Sequence, residues 1–222
     1  YIFFENFDFK ENRGKISYGK IKDNKILKTF DALDLDHHLS YPFLWKEKNN
    51  FYLMPESAEK KKVQIWKSKN FPKNWLRYKS LFKGESCVDT TIFDDKKGVR
   101  WLFTNKSTDK YNDHNSELFI YKTDKKFTKL VSHKLNPVII DSRYARNAGN
   151  IHYNKKGQII RPCQINTHNI YGKGLNIRII KKLTLSEFVE VNHSSFNSDY
   201  NKNISAIHHT TQDENKYVVD AR

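Results

Sequence analysis

Apolar and aromatic residues cluster along this chain in short runs that recur about every fifty residues, each closing on a polar side chain. The runs are Tyr1-Ile2-Phe3-Phe4-Glu5, Phe51-Tyr52-Leu53-Met54-Pro55-Glu56, Arg100-Trp101-Leu102-Phe103-Thr104-Asn105, Gln158-Ile159-Ile160-Arg161-Pro162-Cys163-Gln164 and Lys216-Tyr217-Val218-Val219-Asp220. Their closing residues Glu5, Glu56, Asn105, Gln164 and Asp220 lie 51, 49, 59 and 56 positions apart, a spacing that signals blade-type repeats. Each run except the last is followed by a second stretch of strand character, at residues 14–19, 63–67, 117–121 and 175–180. Three of these alternate apolar with polar positions, as half-buried strands do. A third strand is predicted at residues 75–78 and 127–130. Each run except the first is preceded by a candidate inner strand, at residues 41–45, 89–93, 148–152 and 204–208. Turn residues separate inner strand from aromatic run: Lys48-Asn49-Asn50, Asp94 to Gly98, Asn154-Lys155-Lys156-Gly157 and Gln212 to Asn215.

The pattern predicts an all-β chain and, within that class, a five-bladed β-propeller forming one domain. The blades fall at roughly 1–33, 34–84, 85–140, 141–192 and 193–222, with the first inner strand expected upstream of Tyr1. A β-sandwich is the alternative, since it too has evenly spaced strands. Tyr171-Gly172-Lys173-Gly174 lacks a P-loop or dinucleotide pattern and reads as a turn before the strand at 175.

Charge changes this picture less than its size suggests. The formal net charge is +15 over 222 residues, but it comes from 32 lysines and only 8 arginines. The lysines sit in turn-like places such as Glu59-Lys60-Lys61-Lys62 and Asp124-Lys125-Lys126, which reads as a solvated surface. No stripe, helix or aromatic-basic platform organises them, so no nucleic-acid partner is expected. No apolar run approaches the ~20 residues of a membrane-spanning helix. The two cysteines, Cys87 and Cys163, have no metal-ligand spacing. A reduced, cytoplasmic setting is the simpler expectation, a disulfide stays open, and no metal or other cofactor is predicted.

In a propeller the entrances of the inner strands converge on one end of a central channel. That places Tyr41 with His38 just ahead of it, Asp89, Arg143 and Arg146, and His208 with His209 around one mouth. Ends of neighbouring strands add Glu5, Glu56, Asn105, Arg161, Gln164 and Asp220. Three of the few arginines, Arg143, Arg146 and Arg161, would then meet one site, and planar guanidinium groups suit phosphate or carboxylate. The alternative is that they bridge blades by pairing with Asp141, Glu56 or backbone carbonyls. Asp89 lies between apolar flanks and is the carboxylate most open to tuning as a base, with a structural bond to Thr90 or Thr91 as the other reading. Glu56 is an acid or base candidate or a blade cap. His208 is a general-base or substrate-contact candidate, although neighbouring histidines on a regular strand face opposite ways.

Nine motifs stand in order along the chain: His38-Leu39-Ser40-Tyr41-Pro42-Phe43, Met54-Pro55-Glu56-Ser57, Asn70 to Trp75, Val88-Asp89-Thr90-Thr91, Trp101-Leu102-Phe103, Asn136-Pro137-Val138, Ala145-Arg146-Asn147-Ala148-Gly149, Arg161-Pro162-Cys163-Gln164 and Tyr171-Gly172. Together they resemble the N-terminal domain of the glucosamine inositolphosphorylceramide transferase family. The resemblance implies a five-bladed propeller similar to family-43 glycoside hydrolases, an inner strand with a carboxylate before Tyr1, and work in glycan or glycolipid assembly. The expected substrate is a sugar, sugar nucleotide or glycolipid bearing phosphate, and a separate catalytic domain is a further possible partner. The expected catalytic set is Asp89, Glu56 and His208. The expected substrate-binding set is His38, Tyr41, Arg143, Arg146, Arg161, Gln164 and Tyr171. Two other readings stay open: a glycoside hydrolase of the arabinanase and invertase group, which needs an acid and a base or nucleophile across the bond, and a non-catalytic glycan-binding domain.

Overall fold

The alternating runs become antiparallel strands in the computed structural model, which describes residues 1–108, 112–167, 170–198, 203–213 and 216–221. By packing, the chain divides into two units, residues 1–88 and 89–222.

The first unit holds two meanders. Strands β1 (Ile2–Asp8), β2 (Arg13–Lys22) and β3 (Lys25–Leu33) form one sheet in that order. Strands β4 (Ser40–Glu47), β5 (Asn50–Glu56), β6 (Val63–Asn70) and β7 (Lys73–Leu81) form the other. The predicted turn at 48–50 closes β4 on β5, with Glu47 opposite Asn50. Inward positions of both sheets build one core of Ile16, Leu33, Leu39, Leu53 and Trp75, against which Phe3, Trp66 and Phe71 pack. Trp75 satisfies its indole by donating to the Pro72 carbonyl at 2.9 Å, as a buried indole must.

The second unit contains three sheets among its described residues. Strand β8 (Cys87–Asp94), which begins at the unit boundary, pairs with β9 (Arg100–Lys106), then β10 (Glu117–Thr123) and β11 (Leu130–Ser132), while β12 (Ile139–Ile140) also pairs with β10. The second sheet runs β13 (His152–Tyr153), β14 (Ile159–Thr167), β15 (Ile170–Leu183) and β16 (Phe188–Asn197). The last is a hairpin of β17 (Ile207–Asp213) and β18 (Lys216–Ala221). Of the turn predicted there, Glu214 and Asn215 lie outside the described residues. Phe93, Trp101, Phe103, Leu118, Ile120, Ala145, Ile151 and Ile180 form the main core of this unit.

The inner strand expected at 204–208 begins only at Ile207, as β17, and three further elements differ from the sequence pattern, each for a visible reason. The third strand expected at 127–130 is the shorter β11, because Asp124 turns the chain first: its carboxylate accepts from the backbone N–H groups of Lys126, Thr128 and Lys129. Hydrogen bonding, chiefly from the Thr128 hydroxyl, lowers the pKa of Asp124 to about 2. The inner strand expected at 148–152 shrinks to β13. Ala148 still donates its N–H to the Pro162 carbonyl of β14 at 3.2 Å, but Gly149 has φ +142° and the Ala148 carbonyl turns to the N–H of Thr210 at 2.7 Å, so regular pairing with β14 resumes only at His152. Residues 171–174, expected as a turn, lie inside the long strand β15.

Arg161, fully enclosed, makes a buried polar tie across this unit. Its guanidinium grips Glu190 with two bonds of 2.7 and 2.8 Å and donates to the Tyr144 carbonyl at 2.6 Å. Arg178 adds a 3.0 Å bond to the same carboxylate. The cluster therefore crosses β14, β15 and β16 and reaches the loop ahead of β13. Removing one member of a buried pair strands the other charge. Glu190→Gln is accordingly expected to cost about 3–5 kcal/mol in denaturant unfolding. Arg178→Met, which leaves the Arg161–Glu190 pair intact, should cost clearly less.

Candidate functional site

Four segments of the second unit meet at the entrance of β8. Asp89 is buried and sits at φ +47°, a left-handed conformation that a non-glycine residue holds only when its surroundings enforce it. Asn147 is part of that enforcement: its side-chain amide donates to the Asp89 carbonyl at 3.0 Å, while its own N–H donates to the side-chain oxygen of Asn105. The Asp89 carboxylate accepts from Nε of Arg146 at 2.6 Å. Arg146 also donates to the Asn115 side chain at 2.9 Å and lies 4.9 Å from the centre of the Tyr171 ring, a favourable cation–π geometry.

Tyr171 carries the arrangement onward. Its hydroxyl accepts from Gln164 Nε2 at 3.3 Å, and its ring meets the His208 ring edge-on, 5.5 Å between centres. This approach depends on Gly172, which has φ +65° and whose added Cβ would lie 2.6 Å from that of His208. His208 in turn points Nε2 at Asp220, 3.3 Å away. Strand β17 has a bulge here, with Ile207 opposite Ala221 and His209 opposite Asp220, so His208 is the extra residue. A bulge re-aims side chains. It lets His208 reach Tyr171 while His209 still feels the charge of Asp89, although burial dominates and lowers the pKa of His209.

Three buried polar atoms in this neighbourhood have no hydrogen-bond partner among the described residues: Oε1 of Gln164, Nδ2 of Asn166 and Nδ1 of His208. Such atoms are costly to leave unmatched. A ligand with hydroxyl groups would match donors and acceptors of this kind.

The structure thus groups Asp89, Arg146, Gln164, Tyr171 and His208. Arg143 stands apart: more than half exposed, it is held to Asp141 at 2.6 Å, which raises its pKa and lowers that of Asp141. Arg161 is enclosed by Glu190 and backbone carbonyls, with no accessible surface. Of the first-unit candidates, His38 accepts at Nδ1 from the N–H of Gly14 at 2.9 Å, which puts the proton of the neutral ring on Nε2, 3.6 Å from Glu5. Burial, reinforced by His37, lowers the pKa of His38. Tyr41, at φ +42°, occupies the entrance of β4, and Glu56 lies opposite Ser40 in the same sheet. Asn115, Asn147 and Asn166 were not legible as site residues, because they lie in loops or at strand ends in an asparagine-rich chain. Among the described residues no group of three or more His, Cys, Asp or Glu side chains could hold a metal ion. Both cysteines are buried free thiols, and burial pushes the Cys163 thiol up to about 12.

The two lowered histidine pKa values set a pH response. Unfolded histidine titrates near 6.5; the folded groups bind protons only at lower pH, so below about 6.5 the unfolded state takes up more protons and stability falls with falling pH. Denaturant midpoints should drop between pH 7.5 and 5.5, and His38→Gln with His209→Gln should flatten that drop. An unchanged slope in the double variant would assign the effect to other groups.

Comparison with known proteins gives this geometry a family. The model for "Glucosamine inositolphosphorylceramide transferase 1, N-terminal" matches residues 1–215. Glucosamine inositolphosphorylceramide transferase 1 of Oryza sativa subsp. japonica is 30% identical over 195 residues, and that of Arabidopsis thaliana 31% over 197. Each alignment covers 86% of this chain but only 26% and 25% of the relative, so the chain spans about a quarter of their length. Among solved structures, the family-43 β-xylosidase/α-arabinofuranosidase CoXyl43 from a compost metagenome superposes with TM-score 0.61 at 13% identity, covering 97% of this chain and 74% of that one. The endo-arabinase of Bacteroides thetaiotaomicron gives 0.59 at 15%, covering 88% and 80%. At such identities the likeness speaks for fold alone, and that fold is all-β and propeller-like. By the match along nearly its whole length, the chain belongs to the family of glucosamine inositolphosphorylceramide transferase N-terminal domains.

Proposed function

We propose that this domain binds a phosphate-bearing sugar substrate, a sugar nucleotide or a glycolipid, in glycan or glycolipid assembly, and takes part in glycosyl transfer. We further propose that its five sheets are the blades of a five-bladed propeller. The observation that carries the functional reading is the buried Asp89–Arg146 pair, linked through Tyr171 to His208 and bordered by unmatched polar atoms of Gln164, Asn166 and His208. The names of the curated relatives, which couple glucosamine to an inositol phosphate lipid, support the same substrate class.

The chemistry follows from the pair. Glycosyl transfer from a phosphate-linked donor needs positive charge at the departing phosphate and a base at the acceptor hydroxyl. In the resting site Arg146 and Asp89 satisfy each other. A phosphate that engages Arg146 competes with Asp89 for the guanidinium and loosens the carboxylate to orient the acceptor hydroxyl or take its proton. His208 and Gln164 would then bind sugar hydroxyls. The same pairing argues against Asp89 as the acid of a hydrolase, because its carboxylate is already engaged as the acceptor of a 2.6 Å bond from Arg146.

Titration with nucleoside-diphosphate sugars, followed by thermal shift and calorimetry, tests this reading. Wild type should bind, and Arg146→Ala should lose about 10-fold or more in affinity, the size of a lost charge-assisted bond. Asp89→Asn should keep most of the binding while abolishing transfer to an added acceptor lipid. Absence of wild-type binding, or equal binding by Arg146→Ala, would overturn it; binding without any transfer by wild type would leave a glycan-binding domain, and transfer untouched by Asp89→Asn would remove Asp89 from the chemistry.

A further inference from the structure

Away from that site, the first unit carries an open cleft of about 730 Å³ between the turn ahead of β6 and the edge strand β7. Six cationic side chains line it: Lys60, Lys61, Lys62, Arg77, Lys79 and Lys83. Tyr78 stands among them, well exposed, and no carboxylate belongs to the lining. Asp36 reaches Lys60 at 3.3 Å from outside, and Glu59 and Glu85 flank the lining segments in sequence.

Two local devices assemble this cluster from distant parts of the chain. The N–H of Gly84 donates to the Lys61 carbonyl at 2.8 Å, clamping the segment after β7 to the turn before β6. Strand β7 is also bulged: Ile65 is opposite Lys79 and Trp66 opposite Arg77, which leaves Tyr78 as the extra residue. On a regular strand Arg77 and Lys79 would face away from Tyr78; with the bulge all three line one cleft. Lysine on an edge strand also guards against sheet-to-sheet association, but that role does not require Lys60, Lys61, Lys62 and Lys83 to converge on the same place.

We propose that this cleft docks the domain on the phosphate headgroups of an anionic membrane surface. Clustered cations gain from a negatively charged leaflet within a Debye length of it. An exposed tyrosine is suited to the headgroup layer, where its ring and hydroxyl meet different surroundings. An open cleft without acidic lining matches a dense, extended array of phosphates better than a single small anion.

Flotation with vesicles of phosphatidylcholine alone or with 30% (roughly, a strongly anionic leaflet) phosphatidylserine tests the proposal. The expected result is at least about 10-fold greater partitioning onto the anionic vesicles, weakening with added salt. Lys61→Glu, Arg77→Glu and Lys83→Glu combined should remove that preference. Lys20→Glu, Lys22→Glu and Lys25→Glu combined, an equal charge change on exposed lysines of β2 and β3, should retain most of it. Unchanged far-ultraviolet circular dichroism and unfolding midpoints in both variants exclude loss of folding as the cause. Equal loss in the two triple variants would reduce the effect to net charge and overturn the proposal. So would saturation by free inositol phosphate without vesicle binding, or a stronger preference for a single-stranded oligonucleotide lost in the first variant.

Discussion

A guanidinium with no access to water has to be answered by charge and by carbonyl oxygens, and in the second unit Arg161 organises its surroundings on those terms. Glu190 supplies the charge; the Tyr144 carbonyl supplies the shortest of the backbone contacts. Tyr144 lies two residues before Arg146, so the buried pair also fixes the stretch of loop from which Arg146 reaches Asp89. Asn147, next along, holds the strained backbone of Asp89. The position of the candidate site is in this sense an outcome of burying one charge a few ångströms away.

Arginine is scarce in the chain and its roles separate clearly by environment. Arg100, buried, clasps Asp94 with two bonds and covers Phe127; it is structural, like Arg161. Arg143 is a surface pair, where screening leaves little energy. Arg146 is the one that joins a buried carboxylate, an amide side chain and an aromatic face within a single arrangement. Lysine, by contrast, is plentiful, and it acquires meaning only where folding brings several together without neighbouring acids in the lining.

Much of the fold could be read from the residues because its strands alternate and its turns carry Asn, Asp and Gly at the expected places. The aromatic runs at 51–56 and 100–105 fall in β5 and β9, and the inner strand at 89–93 falls within β8. What escaped the pattern depended on contacts between segments far apart in sequence. Thr210 takes the Ala148 carbonyl while the Ala148 N–H stays on β14, and the bulge at His208 breaks the two-residue period on which opposite-facing histidines were expected. Asp89, Arg146, Gln164 and His208 were legible as candidates because polar residues at strand entrances and ends stand out against apolar runs, whereas Tyr171 entered only through the family resemblance. Their grouping in the second unit, and the removal of Arg161 into the core, follow from burial that no local pattern encodes.

The state of the two cysteines has a practical corollary. Thiol chemistry requires both access and a thiolate, and Cys87 and Cys163 are enclosed, with the Cys163 proton held well beyond neutral pH. The native domain is therefore silent towards maleimides and similar reagents, and a single cysteine introduced at a chosen surface position becomes its sole reactive handle for fluorophores, spin labels or cross-linkers.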